Sequence, residues 1–149
     1  MPKPPSILVG VAGEYFVAGE LSRRGYIASI TLRNTKGVDI LASNQEATRQ
    51  VGIQVKTNRH DKPEWILSQK AESYYADNLF YVFVCLKGDR LRPDFYVVPS
   101  KVVAEHTRTK HKEWLEAPGK KGQRRKDSSI RKFRDPDGQF LERWEILGI

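Results

Sequence analysis

Two apolar-rich runs, residues 37–43 and 50–56, flank a short polar connection and constrain the fold of this chain more than any other feature. Such a pair predicts an antiparallel hairpin. If the turn falls midway through the connection, Asp39 lies opposite Gln54, and Lys56 shares their face because side chains alternate along a strand. The opposite face carries aliphatic side chains (Val38, Ile40, Ala42, Val51, Ile53 and Val55). The hairpin therefore predicts one core-facing surface and one surface that gathers an acid, an amide and an amine.

A helix is predicted before this hairpin, over about residues 9–24, and it carries one more acid of interest. Glu14 shares a stripe with apolar residues at helical spacing (Val17, Ala18 and Leu21). The adjacent Gly13 would let this helix approach a sheet closely. Taken alone, Glu14 is better explained by the preference for acids near a helix start. Together with Asp39 and Lys56, it favours a functional interpretation.

This set of residues resembles the PD-(D/E)XK nuclease superfamily. Members of that superfamily carry a glutamate on the helix before the hairpin, an aspartate on the second strand, and Glu-x-Lys or sometimes Gln-x-Lys on the third. The resemblance covers residues 9–57 well and 79–115 loosely. The order of motifs is most similar to that of the archaeal Holliday-junction resolvase-type endonucleases: Gly13-Glu14, Gly25-Tyr26, Arg33, Asp39 and Gln54-Val55-Lys56.

The resemblance implies a metal-dependent DNA endonuclease that hydrolyses phosphodiester bonds, with branched or structured DNA among its candidate substrates. The implied catalytic residues are Glu14, Asp39, Gln54 and Lys56. Mg²⁺, with Mn²⁺ as a substitute, prefers oxygen ligands, here Asp39, Gln54, Glu14 and the backbone carbonyl of Val55. Lys56 would orient the attacking water or offset negative charge in the transition state.

Gln54 departs from the commoner Glu-x-Lys pattern. A neutral amide binds a cation less tightly than a carboxylate and cannot take up a proton. Because relatives with Gln-x-Lys are active, the endonuclease hypothesis stands. A nuclease fold that has lost turnover and serves as a DNA-binding or interaction module is the alternative.

Positive charge is concentrated near the end of the chain. Between residues 120 and 134 lie eight basic residues and one acid, which accounts for +7 of the net charge of +8. Such clustering is typical of contact with a polyanion such as the DNA backbone, although a solvated loop or an acidic partner protein explains it too. The predicted nucleic-acid-binding residues are Arg33, Lys36, Lys120, Lys121, Arg124, Arg125, Lys126, Arg131, Lys132 and Arg134.

The coarse order of elements is helix, three antiparallel strands, helix, strand, strand, helix. It predicts an α/β fold with a restriction-endonuclease-like core, in which a mixed β-sheet of about five strands is flanked by helices. The continuous apolar run 79–86 is typical of a central strand covered on both faces. The predicted organisation is a single domain, 1–149, with a disordered lead (1–6), a basic surface loop (118–134) and a C-terminal helix (138–147).

Two features of the sequence indicate the cellular compartment in which we expect this protein. No run of eighteen apolar residues and no secretory h-region is present, so we expect no membrane association. The single cysteine, Cys85, lies in the predicted central strand, where a buried thiol fits a cytoplasmic protein.

Glu20 is expected to pair with Arg23 or Arg24 on the solvent side of the first helix. A homodimer is compatible with cutting two strands, because paired cuts favour two-fold symmetry.

Overall fold

A computed structural model of the protein describes residues 2–32 and 35–149. The helices are α1 (Ser6–Arg23) and α2 (Ser100–Glu116), and the strands are β1 (Ile27–Ile30), β2 (Ile40–Ser43), β3 (Gln50–Asn58), β4 (Glu64–Ser68), β5 (Leu79–Cys85), β6 (Asp94–Pro99) and β7 (Ile130–Arg134). Two short 3-10 helices cover Gln69–Glu72 and Trp144–Leu147.

Five of the strands form one mixed sheet in the order β1-β2-β3-β5-β6. Strands β1, β2 and β3 pair in antiparallel fashion, β5 runs parallel to β3, and β6 is antiparallel to β5. The predicted α/β fold with a five-stranded mixed sheet and flanking helices is therefore confirmed. The parallel step from β3 to β5 requires a crossover, and residues 59–78 provide it with β4 and the first 3-10 helix.

One face of this sheet is aliphatic and packs beneath α1. Val17 and Leu21 of α1 are fully buried against Ile40, Ile53 and Val82 of the sheet. The helix ends where Gly25 adopts φ +89°, and the Gly25 N–H donates to Ser22 O at 3.0 Å. This left-handed conformation favours glycine and stops the helix.

The other face is aromatic and is covered by the two-stranded β4–β7 sheet and by α2. The Phe83 ring stacks on Phe133 with a centroid distance of 4.5 Å and contacts Trp65 at 4.9 Å. All seven residues of β5 are buried, which confirms the predicted central strand. Cys85 is fully buried there, and burial is the main cause that raises its pKa to about 11.

Two boundaries predicted from the sequence are wrong, and the helix predicted between the third strand and the central strand is instead strand β4 followed by the 3-10 helix Gln69–Glu72. The predicted surface loop 118–134 ends early, because residues 130–134 form β7, which pairs with β4 and buries Phe133. The predicted helix 138–147 is replaced by turns, an isolated β-bridge between Leu141 and Tyr96, and the 3-10 helix from Trp144 to Leu147. Glu142 has φ +55°, which an α-helix excludes, and its N–H donates to Phe95 O at 2.8 Å along the exposed edge of β6.

No helix within residues 2–32 and 35–149 combines the length and the apolar character needed to cross a membrane.

Candidate active site at the end of the β2–β3 hairpin

The register of the β2–β3 hairpin brings the predicted polar residues together. Ile40 lies opposite Ile53, and the Asp39 N–H donates to Ile53 O at 2.8 Å. The paired register ends there: Asp39 lies in a bend directly before β2, and its predicted opposition to Gln54 falls one residue beyond the last strand pair. Lys56 follows two residues further on the same face of β3, and both β3 side chains are half-buried.

The carboxylate of Asp39 is held in place by the neighbouring strand. Its Oδ2 accepts a hydrogen bond from the backbone N–H of Val55 at 2.7 Å. On the other side, the Thr31 N–H donates to Asp39 O at 2.9 Å, and Thr31 Oγ1 donates to Val38 O at 2.6 Å. Because neighbours on both sides fix this backbone, the carboxylate is positioned before any ligand arrives.

The backbone of Val55 brings a second oxygen to the same place. The N–H and C=O of one strand residue point to the same side, and the Val55 N–H points toward Asp39. The Val55 carbonyl therefore points there too, beyond the start of β2. Asp39 Oδ1 receives no hydrogen bond within the part of the chain that the structure describes. A carboxylate oxygen and a carbonyl oxygen are thus both directed toward the opening at the hairpin end.

The donors at this position suit a hard divalent cation. They are a carboxylate, a carbonyl and the side-chain amide of Gln54, and Mg²⁺ binds oxygen donors through one or two carboxylates while it retains several waters. Residues 2–32 and 35–149 contain no cluster of three or more His, Cys, Asp or Glu side chains that could hold a metal ion. Within these ranges the hairpin end therefore offers carboxylate, carbonyl and amide oxygens rather than a cluster of three or more ionisable ligands.

Glu14 approaches the same end of the sheet from α1. Its neighbour Gly13 is buried against the side chain of Thr57, one residue beyond Lys56 in β3. A Cβ at position 13 would lie 2.9 Å from Thr57 Cβ and closer still to Thr57 Oγ1. The absence of a side chain at Gly13 therefore brings this turn of α1 close to β3, as predicted, and Glu14 lies half-buried beside the contact.

Sequence reasoning missed Tyr74, which belongs to the same environment. The Tyr74 ring packs directly on Gly37, whose φ is +68°. Burial raises the pKa of Tyr74, and the negative charge of Asp39 raises it further. Tyr74 lies in irregular backbone after the first 3-10 helix, so no periodic pattern or motif marked it. Only the crossover connection brings it back to the hairpin.

The predicted basic residues do not all remain available to a ligand. The side chains of Lys36, Lys120, Lys121, Arg124, Lys126, Lys132 and Arg134 are exposed. Arg125 is half-buried, and its guanidinium lies 4.7 Å from the ring centre of Trp114. Arg33 lies outside the described residues.

Arg131 is a correction to the predicted nucleic-acid-binding set. It is 5% exposed, and its Nε donates to Glu72 Oε1 at 2.6 Å. Alternation along β7 turns Arg131 and Phe133 inward while Lys132 and Arg134 face out. An arginine held in this buried ion pair is a structural residue of the second sheet.

Comparison with the solved structure of a homing endonuclease supports the fold. The bacterial homing endonuclease I-Ssp6803I superimposes with a TM-score of 0.57 at 15% sequence identity, covering 98% of this chain and 94% of that one. Hjc, a Holliday junction resolvase from the archaeal hyperthermophile Archaeoglobus fulgidus, superimposes with a TM-score of 0.46 at 12% identity, covering 85% and 84%. No protein-family model and no curated protein sequence matches the chain.

Proposed function

We propose that this chain is a metal-dependent endonuclease that hydrolyses phosphodiester bonds in DNA. The observation that carries the proposal is the 2.7 Å hydrogen bond from the Val55 N–H to Asp39 Oδ2. It fixes a carboxylate at the end of the hairpin beside the face that carries Gln54 and Lys56. The fold shared with a homing endonuclease supports the same reading.

Each residue of the proposed site has a distinct role. Asp39, Gln54 and the Val55 carbonyl would hold Mg²⁺ or Mn²⁺, and Glu14 would bind it directly or through water. The cation supplies Lewis-acid polarisation of the scissile phosphate when it is bound. The Lys56 ammonium group orients the attacking water and offsets the negative charge that grows on the phosphate oxygens in the transition state.

The proposed substrate is DNA gripped through its backbone, and structured forms such as four-way junctions are the first to test. Lys36 lies in the loop that leads into Asp39, and its exposed side chain suits a phosphate near the cut. The exposed lysines and arginines of residues 120–126 supply further contacts whose strength should fall as salt rises.

The deciding experiment compares cleavage of supercoiled plasmid and of a labelled four-way junction, with Mg²⁺ or Mn²⁺, by wild type and Lys56→Ala. We expect metal-dependent cutting by wild type and a loss of at least about 100-fold in the variant, because a positioned charge stabilises the transition state. Lys112→Ala, an exposed lysine of α2, is the matched control and should cut normally. Equal cutting by wild type and Lys56→Ala would refute the site.

A catalytically silent DNA-binding module is the second candidate, and Gln54 is the observation that favours it. Because residue 54 is an amide rather than a carboxylate, the carboxylates of the proposed site are those of Asp39 and of the half-buried Glu14. Under this alternative neither protein cuts any substrate with either metal, while both still bind the junction. That binding should weaken steeply with salt, since it rests on phosphate contacts.

A further inference from the structure

A groove of about 700 Å³ lies between the second half of α2 and strand β7, apart from the hairpin site. His106, Lys110 and Trp114, each four residues apart, line it from the helix, and Ile130, Lys132 and Arg134, each two apart, line it from the strand. Each wall therefore carries both positive charge and an apolar or aromatic side chain.

The charge of this groove is incompletely balanced. No carboxylate is among its described lining residues. Lys132 and Arg134 share one acid, Glu64, at 3.3 and 3.4 Å. Lys110 pairs with Glu113 at 3.3 Å, but both side chains are about 60% exposed, so solvent screens that pair strongly. A surplus of positive charge thus faces the groove and suits an anionic ligand.

Trp114 gives the groove an aromatic surface. It is 42% exposed, whereas the other two tryptophans, Trp65 and Trp144, are 2% and 5% exposed. His111 stacks on it with a centroid distance of 5.7 Å, and Arg125 lies over the ring at 4.7 Å. The Nε atom of Arg125 is buried and has no hydrogen-bond partner among the described residues. An indole that stays 42% exposed beside a guanidinium group is unusual for a side chain of this size.

His106 adds a second flat ring deeper in the groove. Its ring lies 4.7 Å from that of Phe133. Burial lowers the pKa of His106, and the charge of Lys110 lowers it further. The groove thus offers a second ring surface along the line of its lysines and arginine.

We propose that this groove binds single-stranded DNA, with a base stacked on Trp114 and phosphates held by Lys110, Lys132 and Arg134. Grooves that bind single strands combine positive charge with aromatic stacking surfaces. A cleft of this volume is in the range of small-ligand sites, about 300–1,000 Å³, which admits a few nucleotides, and a base must be unpaired to stack on the indole. The choice of DNA as the polynucleotide rests on the proposed function.

Trp114 makes the proposal directly testable, because it is the one well-exposed tryptophan of the three. Oligothymidylate titrated into wild type in EDTA should quench tryptophan fluorescence. Anisotropy of a labelled oligothymidylate should then show at least about fivefold weaker binding by Trp114→Ala, because a stacked base is lost. Lys110→Ala should also bind more weakly and reduce the salt slope by about one. Lys112→Ala, exposed on α2 and outside the groove lining, should bind like wild type.

Several outcomes would overturn the groove assignment. Among the variants, these outcomes are an affinity of Trp114→Ala equal to that of wild type, and equal weakening of binding by Lys110→Ala and Lys112→Ala. Among the ligands, they are binding of a duplex of the same length as tightly as oligothymidylate, and tenfold tighter binding of oligouridylate. Circular dichroism melts establish that each variant is folded. The test is independent of cleavage, because binding is measured in EDTA, where no metal-dependent cutting takes place. Groove binding without any cutting would refute the endonuclease alone, and cutting without groove binding would refute the groove alone.

Discussion

The two faces of the five-stranded sheet are built differently. Beneath α1, aliphatic side chains such as Ile40, Ile53 and Val82 form a continuous buried layer across β2, β3 and β5. On the opposite face, the aromatic cluster covers β5 and β6. Over β1 and β2 that face is open, with Ile27 50% and Leu41 55% exposed.

The candidate site lies where the cover of the second face ends. Gln54 and Lys56 are half-buried on β3, next to the buried Tyr81 and Phe83 of β5 in the parallel register. A polar group under the α1 layer would lose its hydration without a partner. At the boundary of the aromatic cover, the same groups keep access to solvent while their backbone is held by buried neighbours.

The largest expected effect tests how much the aromatic packing adds to the free energy of unfolding. Phe83→Ala should lower the free energy of unfolding by about 3–5 kcal/mol, because Phe83 also stacks on Tyr81 at 5.3 Å and on Phe133 at 4.5 Å. Phe80→Ala is the matched control on the same strand but under α1. Because each ring pair adds about 0.5–1.5 kcal/mol, urea denaturation should show the smaller loss for Phe80→Ala. Equal losses would mean that the two faces are energetically alike.

An intermediate effect is expected where α1 approaches β3. Gly13→Ala should destabilise the protein by about 1–3 kcal/mol through overpacking, since the new methyl group collides with the Thr57 side chain. Gly10→Ala in the same helix meets nothing within 4 Å among the described atoms and should instead stabilise by about 0.5–1 kcal/mol. Thermal melts of both variants give the comparison. Stabilisation by both substitutions would show that the close approach at Gly13 is absent.

The smallest expected effect concerns an ion-pair cluster at the rim of the aliphatic face. Glu20 is 7% exposed and pairs with Arg92 at 3.0 Å and with Arg24. Burial alone would raise the pKa of Glu20, but hydrogen bonds from Arg92 and Arg24 outweigh it and bring that pKa below its usual 4.5. A depressed folded-state pKa contributes stability above the unfolded value, and this contribution is lost as the pH falls through the folded value.

Glu20→Gln should therefore lower the free energy of unfolding by about 1–2 kcal/mol at pH 7, and by progressively less as the pH falls below 4.5. Denaturation curves of wild type and variant between pH 7 and pH 3 measure the difference. Glu145→Gln, at an exposed acid paired with Arg143 near the chain end, is the control and should change little. A gap between wild type and Glu20→Gln that widens toward low pH would contradict this account.

The hairpin could be read from the sequence because its signals are local. Strand alternation and a short connection fix which residues share a face, so the register of β2 with β3, in which Ile40 lies opposite Ile53, follows from the local pattern. The burial of Glu20 is a property that local sequence patterns did not predict. Its pairing with Arg23 and Arg24 was predicted and is confirmed, but its expected position on the solvent side was wrong. Burial came from Arg92 and the C-terminal segment, which are distant in sequence.

The sequence by itself determined the elements that a local pattern of apolar and polar residues specifies. These are the α1 helix, the β2–β3 hairpin and the central strand β5. Only the tertiary structure decided which side chains meet across long separations. It paired β7 with β4 and thereby buried Arg131 against Glu72, and it carried Tyr74 back to Asp39. The physical reason is that periodicity specifies which face of an element is apolar, whereas the partner of that face is set by how all elements pack together.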